Sequence, residues 1–192
     1  MIHLVMENYW DKAISFEEYV HIAKQRLENP SNQQEAEYKQ YYELGLQRMD
    51  RTLKKYIPDE DQLKELTSKN FEGKILIISE AWCGDASATV PALVKFFEGK
   101  NQVKIFLRDD DKSLIAQFLT NGTESIPKVI ILNDDFSIKN SWGPRPKYGK
   151  ELLTKYKNDP EAYSKDSFYN DLQIYYAKNR GKDAIQEIIE LL

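Results

Sequence analysis

From Lys74 onward the chain alternates short apolar runs with helix-like stretches, and this alternation narrows its possible folds more than any other feature. Residues 74–79, Lys-Ile-Leu-Ile-Ile-Ser, and residues 103–107 read as buried strands, with a helix over 85–97 between them. A strand–helix–strand unit closes through a right-handed crossover, which makes its two strands parallel. A short helix over 112–119 leads to Asn121-Gly122-Thr123, a helix stop and turn. Residues 128–132 and 136–142 follow as two strands, joined at Asn133-Asp134-Asp135 by a connection short enough for an antiparallel hairpin. The expected class is therefore α/β, a mixed central sheet of about four strands flanked by helices.

Helices are expected on both sides of this unit. Ser15-Phe16-Glu17-Glu18 has the form of a capping box, with the hydroxyl and the carboxylate each satisfying a first-turn N–H, so a helix should run to about residue 27. Asn29-Pro30-Ser31-Asn32 breaks it. Residues 34–56 read as one long helix in which Tyr38, Tyr41, Tyr42, Leu46, Met49 and Leu53 recur at three- and four-residue spacing, a stripe expected to pack within the chain. Pro58 opens a short helix over 60–67. On the carboxyl side, residues 145–157 should cover the sheet, and 160–179 and 182–192 read as two further helices. The expected organisation is a helical extension over 1–70, the α/β domain over 71–157 and carboxyl-terminal helices over 158–192 packed on it.

With 41% hydrophobic residues, the 192-residue chain can bury a real core. Its 27 basic against 31 acidic residues give a net charge of −4, which argues against a general nucleic-acid surface or an anionic membrane surface as partner. No run approaches the ~18 apolar residues of a membrane span, and the first eight residues lack the basic start of a secretory signal. A single cysteine cannot form an intramolecular disulfide, so the expected address is the reducing cytoplasm.

That cysteine, Cys83, stands in Ala81-Trp82-Cys83-Gly84-Asp85-Ala86, between the first apolar run and the following helix. Helix N-termini carry partial positive charge and unpaired N–H groups, so a thiol placed there can ionise below the ~8.5 of a free cysteine. Cys83 is thus a candidate catalytic nucleophile. Asp85 has two expected effects: as an acid in the first turn it would cap the helix, and its charge would oppose ionisation of the thiol.

Four segments occur in the order found in one known fold: Ser79-Glu-Ala-Trp-Cys-Gly-Asp-Ala86, Phe106-Leu-Arg-Asp-Asp-Asp111, Asn121-Gly-Thr-Glu-Ser-Ile-Pro-Lys128 and Trp142-Gly-Pro-Arg-Pro146. Over roughly residues 74–157 the chain resembles the thioredoxin superfamily, and more narrowly a bacterial thioredoxin-like family with a Trp-Cys-Gly-Asp motif behind a helical amino-terminal extension. The resemblance implies a thioredoxin-like fold in which Pro127 follows a cis peptide and the Ile126 backbone receives an incoming peptide or thiol. It implies that Trp82 shields the thiol and that Trp82, Gly84, Asp85, Ile126, Pro127 and Arg145 form the substrate-binding surface. Arg145 would favour the thiolate or hold a carboxylate of a small thiol, or else be an exposed arginine at a helix start.

The departures from the family carry as much information. Dithiol members have a second cysteine three positions after the first, where this chain has Ala86. They also have a buried acid six positions before the first cysteine, where this chain has Ile77. An internal resolving thiol is missing, so the two-cysteine route is closed to this chain alone. No resident cofactor is expected, and the co-substrate would be a low-molecular-weight thiol.

Other signals carry less. Arg108-Asp-Asp-Asp-Lys112 lacks the Gly and distal Glu of a calcium loop and reads as a solvated turn capped by Asp111. His3 and His21 lie outside the α/β part with no cysteine near them, which speaks against a catalytic pair or a zinc site. Peroxide reduction lacks a Pro-x-x-x-Thr-x-x-Cys pattern. Two readings remain. Monothiol exchange at Cys83 with a protein or small-molecule disulfide predicts an accessible, acidic thiol. A non-enzymatic thioredoxin-fold binding module predicts an unreactive thiol and an exposed apolar patch on the tyrosine-bearing helices.

Overall fold

The first strand, β1 (Lys74–Ser79), buries Ile75, Leu76, Ile77 and Ile78 completely, as a strand covered on both faces must. It pairs in parallel with β2 (Val103–Leu107) and antiparallel with β3 (Lys128–Leu132), which in turn pairs antiparallel with β4 (Ile138–Trp142). The sheet order is β2-β1-β3-β4, so the sheet is mixed and its two inner strands come from the most apolar runs of the chain. In the computed structural model, backbone is described for residues 2–192 and side chains from Met6 onward; the reading of His3 lies outside the described residues.

Period-two alternation sends successive side chains to opposite faces of the sheet. Ile75, Ile77, Ile105, Val129 and Ile131 face one layer, which holds α2 (Phe16–Glu28), α4 (Lys39–Lys55), α6 (Gly84–Phe97) and α9 (Lys182–Glu190). Leu76, Ile78, Phe106, Ile130 and Leu132 face the other, covered by Met6 and Trp10 of α1 (Ile2–Lys12) together with Leu114 and Ile115. No helix was expected over residues 2–12, although Ile2, Val5, Met6, Tyr9 and Trp10 recur at helical spacing. Burying Met6 and Trp10 on the sheet is worth roughly 1.5–3 kcal/mol each and holds the helix there. Just beyond it, Ile14 exchanges two backbone hydrogen bonds of 2.8 Å with Ile105, covering the outer edge of β2. On the carboxyl side, α7 (Lys147–Asn158) and α8 (Lys165–Asn179) share a small core of Leu152, Tyr163, Phe168, Leu172 and Tyr176.

Several boundaries differ from expectation, each for a local reason. The long helix expected over 34–56 is two, α3 (Gln33–Glu37) and α4, with Tyr38 between them at φ −91°, ψ 6°. Tyr42 and Met49 of the tyrosine stripe are buried in the chain, whereas Tyr41 is 48% exposed. The helix expected over 112–119 shrinks to a single 3₁₀ turn, Ile115–Gln117, because Leu114 and Ile115 are drawn fully into the core. β4 starts at Ile138 rather than at residue 136, since Phe136 turns at φ +64° and lays its ring under the Lys74 ammonium, 4.8 Å away. α8 starts at Lys165, where Ser164 Oγ accepts from Ser167 N, and not at residue 160. The short helix α5 (Glu60–Ser68) takes Asp59 as its cap.

Gly45 lets α4 approach the turn that precedes Cys83. A Cβ at this position would overlap the carbonyl oxygen of Ala81, a backbone atom that cannot swing aside. An exposed helix would gain about 1 kcal/mol from Gly→Ala, and overpacking of this kind costs more than that. Gly45→Ala is therefore expected to lower stability by about 2 kcal/mol in urea unfolding with an unchanged m value; equal or higher stability would show that α4 and the turn are not in contact.

Candidate functional site

Cys83 is the N-cap of α6, with φ −76° and ψ 124°. Its carbonyl accepts from Ser87 N at 2.9 Å, its N–H donates to Glu80 O at 3.1 Å, and its thiol donates to the carbonyl of Ile126, 3.5 Å away. The peptide between Ile126 and Pro127 is cis, as is Gly143–Pro144. Ile126 N–H has no partner among the described residues. Gly143 sits at φ +124° with its hydrogen against the Pro127 carbonyl, where a Cβ would collide.

The thiol itself departs from expectation. Burial pushes it up to about 12, and the carboxylate of Asp85 pushes the same way. The N–H groups of Ala86 and Asp85 and the more distant Arg145 pull it down, and are outweighed. A helix N-terminus is worth at most ~2 kcal/mol to a nearby charge, which desolvation readily exceeds. The residue as a whole is only partly covered.

Asp85 does not cap α6. Its carboxylate is buried and held by Arg145, with Nη2–Oδ2 at 2.6 Å and Nε–Oδ1 at 3.0 Å, and Tyr176 donates its hydroxyl to Oδ1 at 2.7 Å. Burial raises its pKa against the opposing pull of these partners. Arg145 is accordingly neither an exposed helix-start residue nor a cation free for a ligand. It precedes α7, which begins at Lys147 rather than at 145, and lies 5.8 Å from the ring centre of Phe168.

Trp82 is fixed from three sides. Tyr38 meets it edge-on at 4.9 Å, Arg108 lies over it at 5.1 Å, and its Nε1–H donates to Asp109 Oδ2 at 3.0 Å. The Asp109–Asp111 turn is thus not merely solvated. Asp111 accepts from Ser113 N as a capping residue should, while Asp109 holds Trp82 and Asp110 pairs with Arg26 at 2.6 Å. Among the described residues, no group of three or more His, Cys, Asp or Glu could hold a metal ion.

One buried acid escaped the sequence reading. Ile77, six positions before Cys83, is apolar and buried, but Glu80, three positions before it, is 0% exposed. Its Oε1 accepts from Asp109 N at 2.7 Å and its Oε2 pairs with Arg26 Nη1 at 3.1 Å. Burial raises the carboxyl to about 7 even so. The carboxylate stands two positions after the apolar run Ile75–Ile78, and that signal could have flagged it. Arg26, from α2, also reaches Glu35 at 3.3 Å, which ties α3 to the site.

Cys83, Trp82, Gly84, Asp85, Ile126 and Arg145 all line one groove of about 750 Å³. Pro127 does not; it lies behind Ile126, and Pro144 takes part in the wall instead. Tyr38, Tyr41 and Arg48 from the amino-terminal part and Tyr169 of α8 also line it; the tyrosine stripe had marked Tyr38 and Tyr41, whereas nothing in the sequence marked Arg48 or Tyr169.

The sheet order, the Cys83 turn and the proline-led β3 are the arrangement of a thioredoxin fold, and a family model described as thioredoxin matches residues 31–157, well over half of the chain. The chain belongs to the thioredoxin family. The match extends from α3 to α7, so it takes in helices ahead of the sheet as well as the sheet itself. Two solved structures resemble this thioredoxin-family chain along nearly its full length. One is an HIV epitope scaffold, with TM-score 0.63 and 14% identity over 96% of this chain and 95% of that one. The other is a protein of unknown function from Pseudomonas aeruginosa, with TM-score 0.60 and 15% identity over 94% and 92%. At such identities the likeness is one of fold. No curated protein matches the chain. Among the described residues no helix is long and apolar enough to cross a membrane.

Proposed function

We propose that this thioredoxin-family protein docks an extended polypeptide segment in the Cys83 groove and keeps the thiol protonated as part of the groove floor. The observation that carries the reading is the burial of the Cys83 thiol against the Ile126 carbonyl, with the Asp85 carboxylate close by. Burial and Asp85 push it to about 12, so thiolate is scarce at neutral pH and nucleophilic attack is slow. Beside it, Ile126 offers an unpartnered N–H and a carbonyl engaged only by the thiol, the two main-chain groups an extended segment needs in order to pair. Tyr41 and Tyr169, each about half exposed, supply apolar walls for its side chains.

Residues 1–70 would then be an extension that builds one wall, residues 71–157 the thioredoxin-like domain and residues 158–192 the opposite wall. The Trp82–Asp85 motif supports a bacterial branch of the family with such an extension, and the single cysteine supports a cytoplasmic setting, with a protein as partner.

A second reading is favoured by the Ala86 and Asp85 N–H groups that face the sulfur. In it, Cys83 performs monothiol exchange. The thiolate attacks one sulfur of a disulfide RS–SR′, R′S⁻ leaves with the electron pair, and an external low-molecular-weight thiol later attacks the Cys83–S–S–R bond and frees Cys83. Trp82, Gly84, Ile126 and Pro127 would frame the disulfide.

The rate of iodoacetamide alkylation against pH, with the unfolded chain as control, separates the two. Docking without chemistry predicts slow modification at neutral pH and a midpoint above ~10, compared with ~8.5 for the unfolded thiol. A midpoint below ~8.5 with fast modification at pH 7 would overturn it in favour of exchange.

A further inference from the structure

Along the flank of the Cys83 groove, α4 and α8 enclose a second, smaller cleft of about 120 Å³. Arg48, Arg51 and Lys55 line it from α4, and Arg180 lines it from the end of α8. Among the described residues, none of these four cations takes part in an ion pair, a hydrogen bond or a ring contact. Their neighbour Lys54, which faces away, is paired with Asp50 at 2.7 Å. In a chain of net charge −4, four unneutralised cations around one cleft are a local reversal of the overall field.

Helix dipoles account for part of the cluster and not for the rest. The last turn of α4 favours a cation, which explains Lys55, and the carboxyl end of α8 favours Arg180 in the same way. Arg48 stands about two turns further in and is half-buried. Burial lowers its pKa, the charge of Arg51 lowers it further, and the carboxylate of Asp85 lies in its field but is already held by Arg145 and Tyr176. Arg180 sits in left-handed backbone at φ +52°, a conformation that costs an arginine about 1 kcal/mol and that asparagine or glycine would take more easily. Stability alone gives no reason for the half-buried, unpaired guanidinium of Arg48.

We propose that this cleft binds a phosphate-type dianion, with Arg48, Arg51 and Arg180 as its donors. Arginine presents paired N–H groups in the fork that matches a phosphoryl oxygen pair, and three such forks suit a doubly charged group. The cleft is well below the roughly 300–1,000 Å³ of sites that hold a drug-sized molecule, so it takes the phosphoryl group and leaves any organic part outside. Arg48 connects it to the Cys83 groove. Its Nη1 lies 3.3 Å from the position a Cβ would take on Gly84, and the residue lines both cavities. The site stands whatever the Cys83 groove holds.

The test is calorimetric titration of the full chain with inorganic phosphate, phenyl phosphate and, at matched ionic strength, chloride. Saturable one-site binding of phosphate but not chloride is expected, weakened at least tenfold in Arg51→Gln/Arg180→Gln and unchanged in Lys54→Gln. The two arginines replaced are exposed, so the variant should fold, which its circular dichroism checks. Binding of phenyl phosphate as well would identify an esterified phosphate as ligand class, and binding of inorganic phosphate alone would identify the free ion. No saturable heat with either phosphate, or equal weakening in Lys54→Gln, would overturn the site and leave only general charge attraction.

Discussion

Asp85→Asn is expected to make Cys83 more acidic and the protein less stable in the same step. The carboxylate is the second-largest influence holding the thiol up, after burial, and Arg145 behind it pulls the other way. Without the negative charge, the guanidinium acts on the sulfur unopposed. Removing a like charge at this range moves a midpoint by roughly one to three pH units, here downward from about 12. The same change leaves Arg145 mostly buried without its partner, and breaking a buried pair from one side costs about 3–5 kcal/mol. Asparagine can still accept from Tyr176, so the loss should fall at the lower end, about 3 kcal/mol. Alkylation against pH and urea unfolding of one preparation measure both. An unchanged thiol midpoint would mean that burial alone holds Cys83 protonated.

The second large effect lies at Glu80. Its carboxyl titrates near 7 in the folded protein and at 4.5 when unpartnered. Between those values the folded chain keeps a proton that the unfolded chain has released, so stability falls as pH rises from about 4.5 to about 7 and is flat above. A difference of that size corresponds to about 3 kcal/mol. Arg26, Asp109 N–H and the competing charge of Asp110 all act on the same carboxyl, with burial outweighing the favourable pair. Glu80→Gln should abolish the slope while Arg26 keeps Glu35 and Asp110. Wild-type stability that rises with pH in this window, or a Glu80→Gln variant with the same slope as wild type, would refute the assignment.

The two sites illustrate how far the chain could be read in one dimension. The strands were legible because short apolar runs rich in β-branched residues, such as Ile75–Ile78, bounded by polar residues, suit a doubly covered sheet, and the crossover and hairpin then set the mixed order. The turn at Cys83 was legible because it lies between a strand and a helix. Its position along α6 is as expected, and its chemical state is not. Helix α1 was missed although its apolar residues recur at three- and four-residue spacing, and the sheet it covers through Met6 and Trp10 holds it.

What the sequence alone determined, then, is which residues form the sheet, where the single thiol falls in chain order and that no second cysteine can resolve it. The tertiary structure alone decided the surroundings of that thiol and the company of its neighbours. Asp85 finds Arg145 and Tyr176 at separations of 60 and 91 residues, and Glu80 finds Arg26 at 54. Local propensity acts over a few residues, whereas desolvation and Coulomb interaction act through space, so the titration of these groups belongs to the packed molecule.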